Sequence, residues 1–304
     1  MHLAPDKLLP LEAAAGRVAD GALVALGGGL SARLPMALVR ELLRQGRKGL
    51  HLVGSAHGID VDLLVAAGAV RVCEESYVGF EQDFGLAPAF RRAAEQGAIE
   101  VRETCCATIL AQLRAAELGV PFLPVRGVKG SDIRLLHPEY AEVTCPFTGE
   151  RLVAVPAVRP DVALLHAPLG DRRGNLHLEQ PYVLDERFAA ASAAVVATVE
   201  RLASTEEVAA AGVTIPAHLV AAVAEVPFGA HPSACYPGYA YDRAHIAEYV
   251  EAARAGGAAL AAYLDRWVHG TADEAAYRQL VGAERLERLR RWSSSTTAWQ
   301  ELLA

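Results

Sequence analysis

Along most of this chain, short runs of β-branched and other apolar residues alternate with stretches whose apolar positions recur every three or four residues. Runs of the first kind fit strands buried on both faces, and stretches of the second kind fit helices with one buried side. The pattern therefore predicts an α/β fold, an open, mostly parallel sheet with helices on both faces. Ala22–Leu26 is the first predicted strand, after which Met36, Leu38, Val39, Leu42 and Leu43 share one helix face with Pro35 in the first turn. Leu50–Val53 is a second strand, Val61–Ala67 a helix closed by Gly68, and Val70–Cys73 a third strand. Pro88 and Gly97 bracket the next helix, and Ile99–Arg102 reads as a strand. Thr104 is placed to cap a helix running to about Leu118, with Gly119 as its left-handed stop.

Phe122–Val125 is an apolar strand ending in the polar, glycine-containing loop Arg126–Asp132. From Glu142 to Pro156 two short runs flank Pro146-Phe147-Thr148-Gly149, which reads as a hairpin. Val162–His166, Ala194–Val199 and Leu219–Val226 restore the buried-strand pattern, and beyond Asp242 the chain reads as helical, with breaks at Gly256-Gly257 and Gly270. One α/β domain over residues 1–241, with a helical C-terminal extension over 242–304 packed on it, accounts for this order.

The chain has 304 residues, 52% of them apolar and 21% charged, enough to bury a sizeable core. Lys and Arg number 29 against 36 Asp and Glu, a formal charge of −7, which opposes a nucleic-acid-binding face. Five cysteines without CxxC spacing give neither a disulfide framework nor a zinc pattern. His166 and His177 lack metal-ligand spacing, so no metal is expected. The N-terminal segment has no secretory-signal pattern and no apolar stretch is long enough for a bilayer, so the expectation is a soluble, cytoplasmic protein without a membrane partner.

Candidate chemistry gathers at predicted strand ends, where open α/β sheets bind their ligands. Gly27-Gly28-Gly29 follows the first strand; there Gly28 and Gly29 let a ligand approach bare backbone, and Ser31 offers either a hydroxyl for a carboxylate or a helix cap. A dinucleotide fingerprint is matched only formally, because Pro35 starts the helix late and the second strand ends without an acidic residue. Ser55 and His57 follow the second strand, with His57 either orienting an acid or lying solvated in its loop. Glu74 and Glu75 end the third strand. Two adjacent buried carboxylates repel, so one of them is expected at the surface, and Glu75 is the candidate for function. Glu103 is a low-ranking acid or base, and Cys105 and Cys106 read as small packing residues. Arg126, Gly127, Lys129 and Gly130 form a cationic glycine loop suited to a carboxylate or a phosphate, or simply a solvated surface. Asp171 and Asn175 read as turn formers, and the segment around His231 as folding or interface rather than chemistry.

Four ordered segments carry a resemblance: Ala25-Leu26-Gly27-Gly28-Gly29 with Pro35; Gly119-Val120-Pro121-Phe122-Leu123-Pro124-Val125 with Gly130-Ser131; Asp161–Ala167 with Asp171 and Gly174-Asn175; and Pro227–Ser233 with Cys235-Tyr236. Together they resemble the α subunit of the family I CoA-transferases, most closely the glutaconate CoA-transferase A subunit. The resemblance implies a fold shared with sugar-phosphate isomerases and a β-type partner subunit, in a heterodimer or doubled heterodimer. It implies that the partner supplies a nucleophilic glutamate, while this chain shapes the acyl pocket without carrying the nucleophile. Gly28, Gly29, Ser31, Ser55, His57, Glu75, Arg126, Gly127, Gly130 and Ser131 are then the expected substrate-binding residues. No permanently bound cofactor is expected; CoA and acyl-CoA enter as substrates, with a free acid, dicarboxylic acids included, as acceptor. Two rivals on the same scaffold are a ring-opening hydrolase of CoA thioesters, whose acid would lie after Arg102, and a non-enzymatic ligand-binding relative.

Overall fold

The computed structural model describes residues 6–180 and 182–303. Its strands are β1 (Leu23–Leu26), β2 (Leu50–Val53), β3 (Ala56–His57), β4 (Val70–Glu74), β5 (Tyr77–Val78), β6 (Glu100–Val101), β7 (Phe122–Val125), β8 (Ala141–Thr144), β9 (Arg151–Pro156), β10 (Val162–Gly170), β11 (Leu176–His177), β12 (Val195–Leu202) and β13 (Val220–Glu225). The main sheet has the order β13-β12-β10-β1-β2-β4-β6, every neighbouring pair parallel, with β11 added antiparallel beside β10. From β1 the chain winds outward through β2, β4 and β6. It then crosses to the other side of β1 and winds outward again through β10, β12 and β13, so the strand order reverses between β1 and β10.

Side-chain alternation divides the apolar residues between the two faces. Val24, Leu26 and Leu164 pack into one buried cluster, while Ala25, Ala163 and Leu165 pack into another. Helices such as Met36–Arg44 cover the first face, and Cys106–Glu117 and Asp185–Ala191 cover the second. The C-terminal helices Arg243–Ala255, Gly257–Leu264, Glu274–Val281 and Ala283–Arg290 place Tyr249, Tyr263, Tyr277 and Leu286 in the first cluster.

Two expectations are corrected. Phe122–Val125 is a strand, but it lies outside the parallel sheet, in a separate antiparallel sheet of order β7-β9-β8, with Phe122 exposed. Thr104 does not cap the following helix: Cys105 occupies the cap position without a side-chain cap bond, and the buried Thr104 hydroxyl has no partner. A chain that enters the helix one residue later turns the Thr104 side chain inward, where it packs rather than caps. The expected hairpin is present between β8 and β9, and Gly119 stops the helix with φ +71°.

Candidate active site

At the carboxyl ends of β2 and β4 the two strands stay together past the sheet. Ser55 accepts the N–H groups of Ser76 and Tyr77 on its carbonyl, each at 3.0 Å, and β3 and β5 pair beyond it. His57 is fully buried, and its Nδ1 lies 2.6 Å from Oδ2 of Asp60, whose other oxygen takes the Gly58 N–H at 3.1 Å. The alternative of a solvated loop histidine is therefore excluded. Burial alone works against charge on His57, but Asp60 and Glu75 override it and push its pKa up to about 9.

Glu74 and Glu75 are both buried, so the expectation that one would be exposed is overturned. They lie on alternate sides of the strand end in different surroundings, and the repulsion that remains is felt at Glu75. Glu74 lies 3.5 Å from His51 Nε2 and 3.7 Å from Arg102. The Glu75 carboxyl lies against Gly54, where a Cβ would come within 2.2 Å of its Oε1, and neither oxygen has a hydrogen-bond donor. Burial, with Asp60 and Glu74 adding to it and His57 opposing it, pushes the Glu75 pKa up to about 8. At neutral pH it is predominantly a neutral carboxylic acid. The Nε2 of His57 is likewise buried without a partner. Buried polar atoms are nearly always satisfied, so the two Glu75 oxygens and His57 Nε2, left open on two electrostatically coupled side chains, make this the candidate site.

The rim of this site holds the feature that sequence reasoning missed. Cys106 is the first residue of its helix and is exposed, so packing does not account for it. Its Sγ lies 3.0 Å from Ser76 Oγ, which in turn donates to the Ser55 carbonyl. Hydrogen bonding with the Ser55 side chain first, and with Ser76 Oγ second, holds its thiol below the usual thiol range. Cys105 instead turns away to Thr108 Oγ1 at 3.1 Å, and a Cβ placed on Gly127 would lie 4.0 Å from its sulfur. The loop Arg126–Asp132 therefore flanks the helix start. Within it Arg126 is exposed and bonded to Glu150 at 2.6 and 2.8 Å, and Ser131 Oγ accepts the Ile133 N–H. Glu103 is exposed; the main-chain carbonyl, not the carboxyl, receives a contact, from His137 Nε2.

The glycine loop sits at the strand-order reversal, but its N–H groups are spoken for. Gly27 donates to Leu164, Gly28 to Asp185 Oδ1 at 2.8 Å, Gly29 to Ala32 and Leu30 to Ala56. The donors expected of Gly28 and Gly29 are thus consumed inside the chain, by a carboxylate 157 residues away that no local pattern announces. Asp185 also binds the buried Arg33 at 3.0 Å, locking the loop from both sides. Ser31 is exposed and lines a cavity of about 200 Å³ walled by Phe80, Phe84 and Tyr241. Gly28 has φ +72°, and a Cβ there would meet the Ala32 carbonyl oxygen at 2.5 Å. At Gly29 the obstacle is only the end of the Val183 side chain, at 2.9 Å. Gly28→Ala is therefore expected to cost about 1–3 kcal/mol in a denaturation titration and Gly29→Ala less than about 1. Equal losses would count against this account of the loop.

Elsewhere, Asp171 holds its turn through Asn175 and Arg173, and His231 is bonded to Asp242 and Tyr277 deep against the C-terminal helices, both as structural roles. The His231–Asp242–His245 group and the His166–Glu200–Cys235 group have metal-compatible spacing. Arg285 already takes Asp242 at 2.5 Å, and Tyr239, Phe228 and Gly229 donate to Glu200.

With this geometry in hand, similarity to known proteins decides the family. The coenzyme A transferase model matches residues 9–226. This chain belongs to the coenzyme A transferase family. The A subunit of 3-oxoadipate CoA-transferase from Pseudomonas knackmussii is 35% identical over 88% of this chain and 95% of its own. The cholesterol ring-cleaving hydrolase IpdA subunit of Rhodococcus jostii is 35% identical over 82% of this chain and 88% of its own. An uncharacterized protein of Archaeoglobus fulgidus is 35% identical over 94% of this chain, which spans only 65% of that longer relative. Among solved structures, glutaconate coenzyme A-transferase from Acidaminococcus fermentans superposes with a TM-score of 0.89 at 31% identity, over 93% of this chain and 95% of its own. No helix among the described residues is long and apolar enough to cross a membrane.

Proposed function

We propose that this CoA-transferase family chain is the A-type member of a heteromeric enzyme that moves CoA between an acyl-CoA and a free acid, dicarboxylic acids included. In this reading a β-type partner supplies the attacking glutamate. The carboxylate adds to the thioester carbonyl, giving a mixed anhydride and CoA thiolate. The thiolate attacks the glutamyl carbonyl of the anhydride and expels the donor acid as its carboxylate; the acceptor carboxylate then attacks the glutamyl thioester, and the same steps in reverse give the new acyl-CoA and free the glutamate. The observation that carries the reading is a cluster of acid and hydroxyl groups at the sheet's carboxyl edge, left with unpartnered buried atoms, in a chain similar over most of its length to A subunits of CoA-transferases. Exposed apolar side chains support a partner: Leu135, Leu136 and Phe147 stand 80%, 48% and 93% exposed beside the loop that flanks the cluster.

The test is reconstitution. Purified with a β-type subunit, the pair should transfer CoA and form an enzyme-bound CoA thioester on the partner that borohydride intercepts. The separate chain should show almost no turnover. Addition of water that opens a ring of a cyclic CoA thioester, with the CoA retained and no acceptor needed, would favour the ring-cleaving hydrolase that the Rhodococcus relative's name describes, and robust turnover by the chain alone would overturn the subunit reading.

A further inference from the structure

We propose that the cavity beside the glycine loop seats the acyl group, and that the acyl group it takes carries an uncharged apolar ring, a second carboxylate being refused. The inference rests on the acyl-CoA reading above and narrows its acids to one chemical class.

The cavity adjoins the candidate site. Leu30 and Gly79 in its wall donate to the carbonyls of Ala56 and His57, each at 2.9 Å, which ties the wall to the segment carrying Ser55 and His57. Leu30 and Glu81, both lining it, are non-glycine residues held at φ +53° and +50°. Such conformations are costly and persist only where the surroundings fix them, which suits a preformed cavity.

Size and walls set the ligand. An apolar cavity of about 150 Å³ takes a benzene ring, so about 200 Å³ holds one ring with a short link to the thioester. Phe80 and Phe84 stand edge to face, their centroids 6.5 Å apart and their planes at 79°, and Ile59 and Ile246 add buried aliphatic surface. A flat apolar ring gains most from walls of this kind.

Charge decides what the far end of the acyl group can be. Glu81 and Asp83 line the cavity, and neither Lys nor Arg does so among the described residues. Asp83 accepts the Tyr241 hydroxyl at 2.8 Å and lies 3.8 Å from Arg243. Arg243 itself sits 5.1 Å over the Phe84 ring, where it fills the place a ligand cation would take. Glu81 is exposed, with no ion-pair partner among the described residues. A dicarboxylic acyl group would bring its far carboxylate against these two acids, with Arg243 already matched.

To test this, the assembled pair is given phenylacetyl-CoA with deuterated phenylacetate and, separately, glutaryl-CoA with deuterated glutarate. In each tube CoA passes from the unlabelled acyl group to the labelled acid and one unlabelled acid is freed, so the exchange needs no further reactant. Mass spectrometry of the CoA thioesters should show the ring pair exchanging about tenfold faster at equal low concentrations. Glu81→Lys, a change at an exposed position, should move that ratio about threefold toward glutarate, and an unmoved ratio overturns the exclusion of the second carboxylate. Saturation-transfer NMR supplies a readout apart from turnover. The ring protons of phenylacetate should be saturated by the assembled pair, and not when Ser31→Trp fills the cavity. Glutaryl exchange as fast as ring exchange, or saturation that survives Ser31→Trp, overturns the inference and leaves the transferase reading standing. Saturation lost in Ser31→Trp, without exchange by either pair, upholds the cavity assignment and overturns the transferase reading. Absence of both exchange and saturation overturns both.

Discussion

Glu274→Ala should destabilise the protein by about 3–5 kcal/mol, the cost typical of leaving a buried charge unpaired. Arg40 is 2% exposed on the helix Met36–Arg44, and it reaches the C-terminal helix through Nε and NH2 to the two Glu274 oxygens, at 3.0 and 2.5 Å. Its remaining nitrogen donates to the His231 carbonyl at 2.8 Å, and its plane lies 3.7 Å over Tyr277. Arg44 adds a third bond to Glu274, at 2.6 Å. Alanine would leave the buried Arg40 guanidinium without a carboxylate, while Arg44 keeps its pair with Glu41 at 3.0 Å. Urea titration at neutral pH measures the loss; a change below about 1 kcal/mol would show that the C-terminal helices are held by their apolar contacts alone. Glu274→Gln, which keeps an acceptor but not the charge, should fall between.

The second large effect runs the other way. Glu75→Gln should stabilise the protein at neutral and higher pH. Below pH 4.5 the Glu75 carboxyl is protonated in both folded and unfolded chains, so it contributes no slope. Between 4.5 and about 8 only the folded chain keeps the proton, and folding must take one up from an ever scarcer supply. Stability falls as pH rises through that window. His57 adds a fall of the same sign between 6.5 and about 9, because the folded chain again holds the proton longer. Glutamine removes the first contribution, a gain on the order of 3 kcal/mol at pH 7, and weakens the second, because Glu75 is one of the groups that raise the His57 pKa. The groups facing Glu75 are His57, Asp60 and Glu74, all unchanged in this variant. A gain that did not grow between about pH 5 and about 8, measured as the shift in urea midpoint, would show that Glu75 is ionised in the folded protein.

The parallel sheet was legible because its strands are buried on both faces, and a continuous apolar run such as Val162–His166 fits little else. Phe122–Val125 looks the same as a string of letters and is an edge strand of another sheet. Pro124 was the available signal, since proline is confined to strand edges. The site was legible only in part. Ser55, His57 and Glu75 follow strand ends and were found by position. Asp60 could have been found as well, because Asp60 and Asp62 interrupt an otherwise apolar helix start and are both fully buried. Asp185 was out of reach: its tie to Gly28 and Arg33 spans more of the chain than any local pattern can see. Cys106 was misread because a small residue at a helix start looks alike whether its side chain packs or meets solvent.

The position of β1 in the middle of the sheet has a consequence for biosynthesis. One of its flanks is filled early by β2, but the other waits for β10, roughly 140 residues downstream, an interval of ~7–28 s at usual ribosomal speeds. Throughout that time the nascent polypeptide presents an apolar strand with a vacant hydrogen-bonding edge, which invites pairing with a neighbouring chain on the same message. A circular permutant that begins at β10 would only hand the vacant edge to β10, which would then wait at least as long for β1, and it should emerge from cells with no less aggregation than the natural order of translation gives.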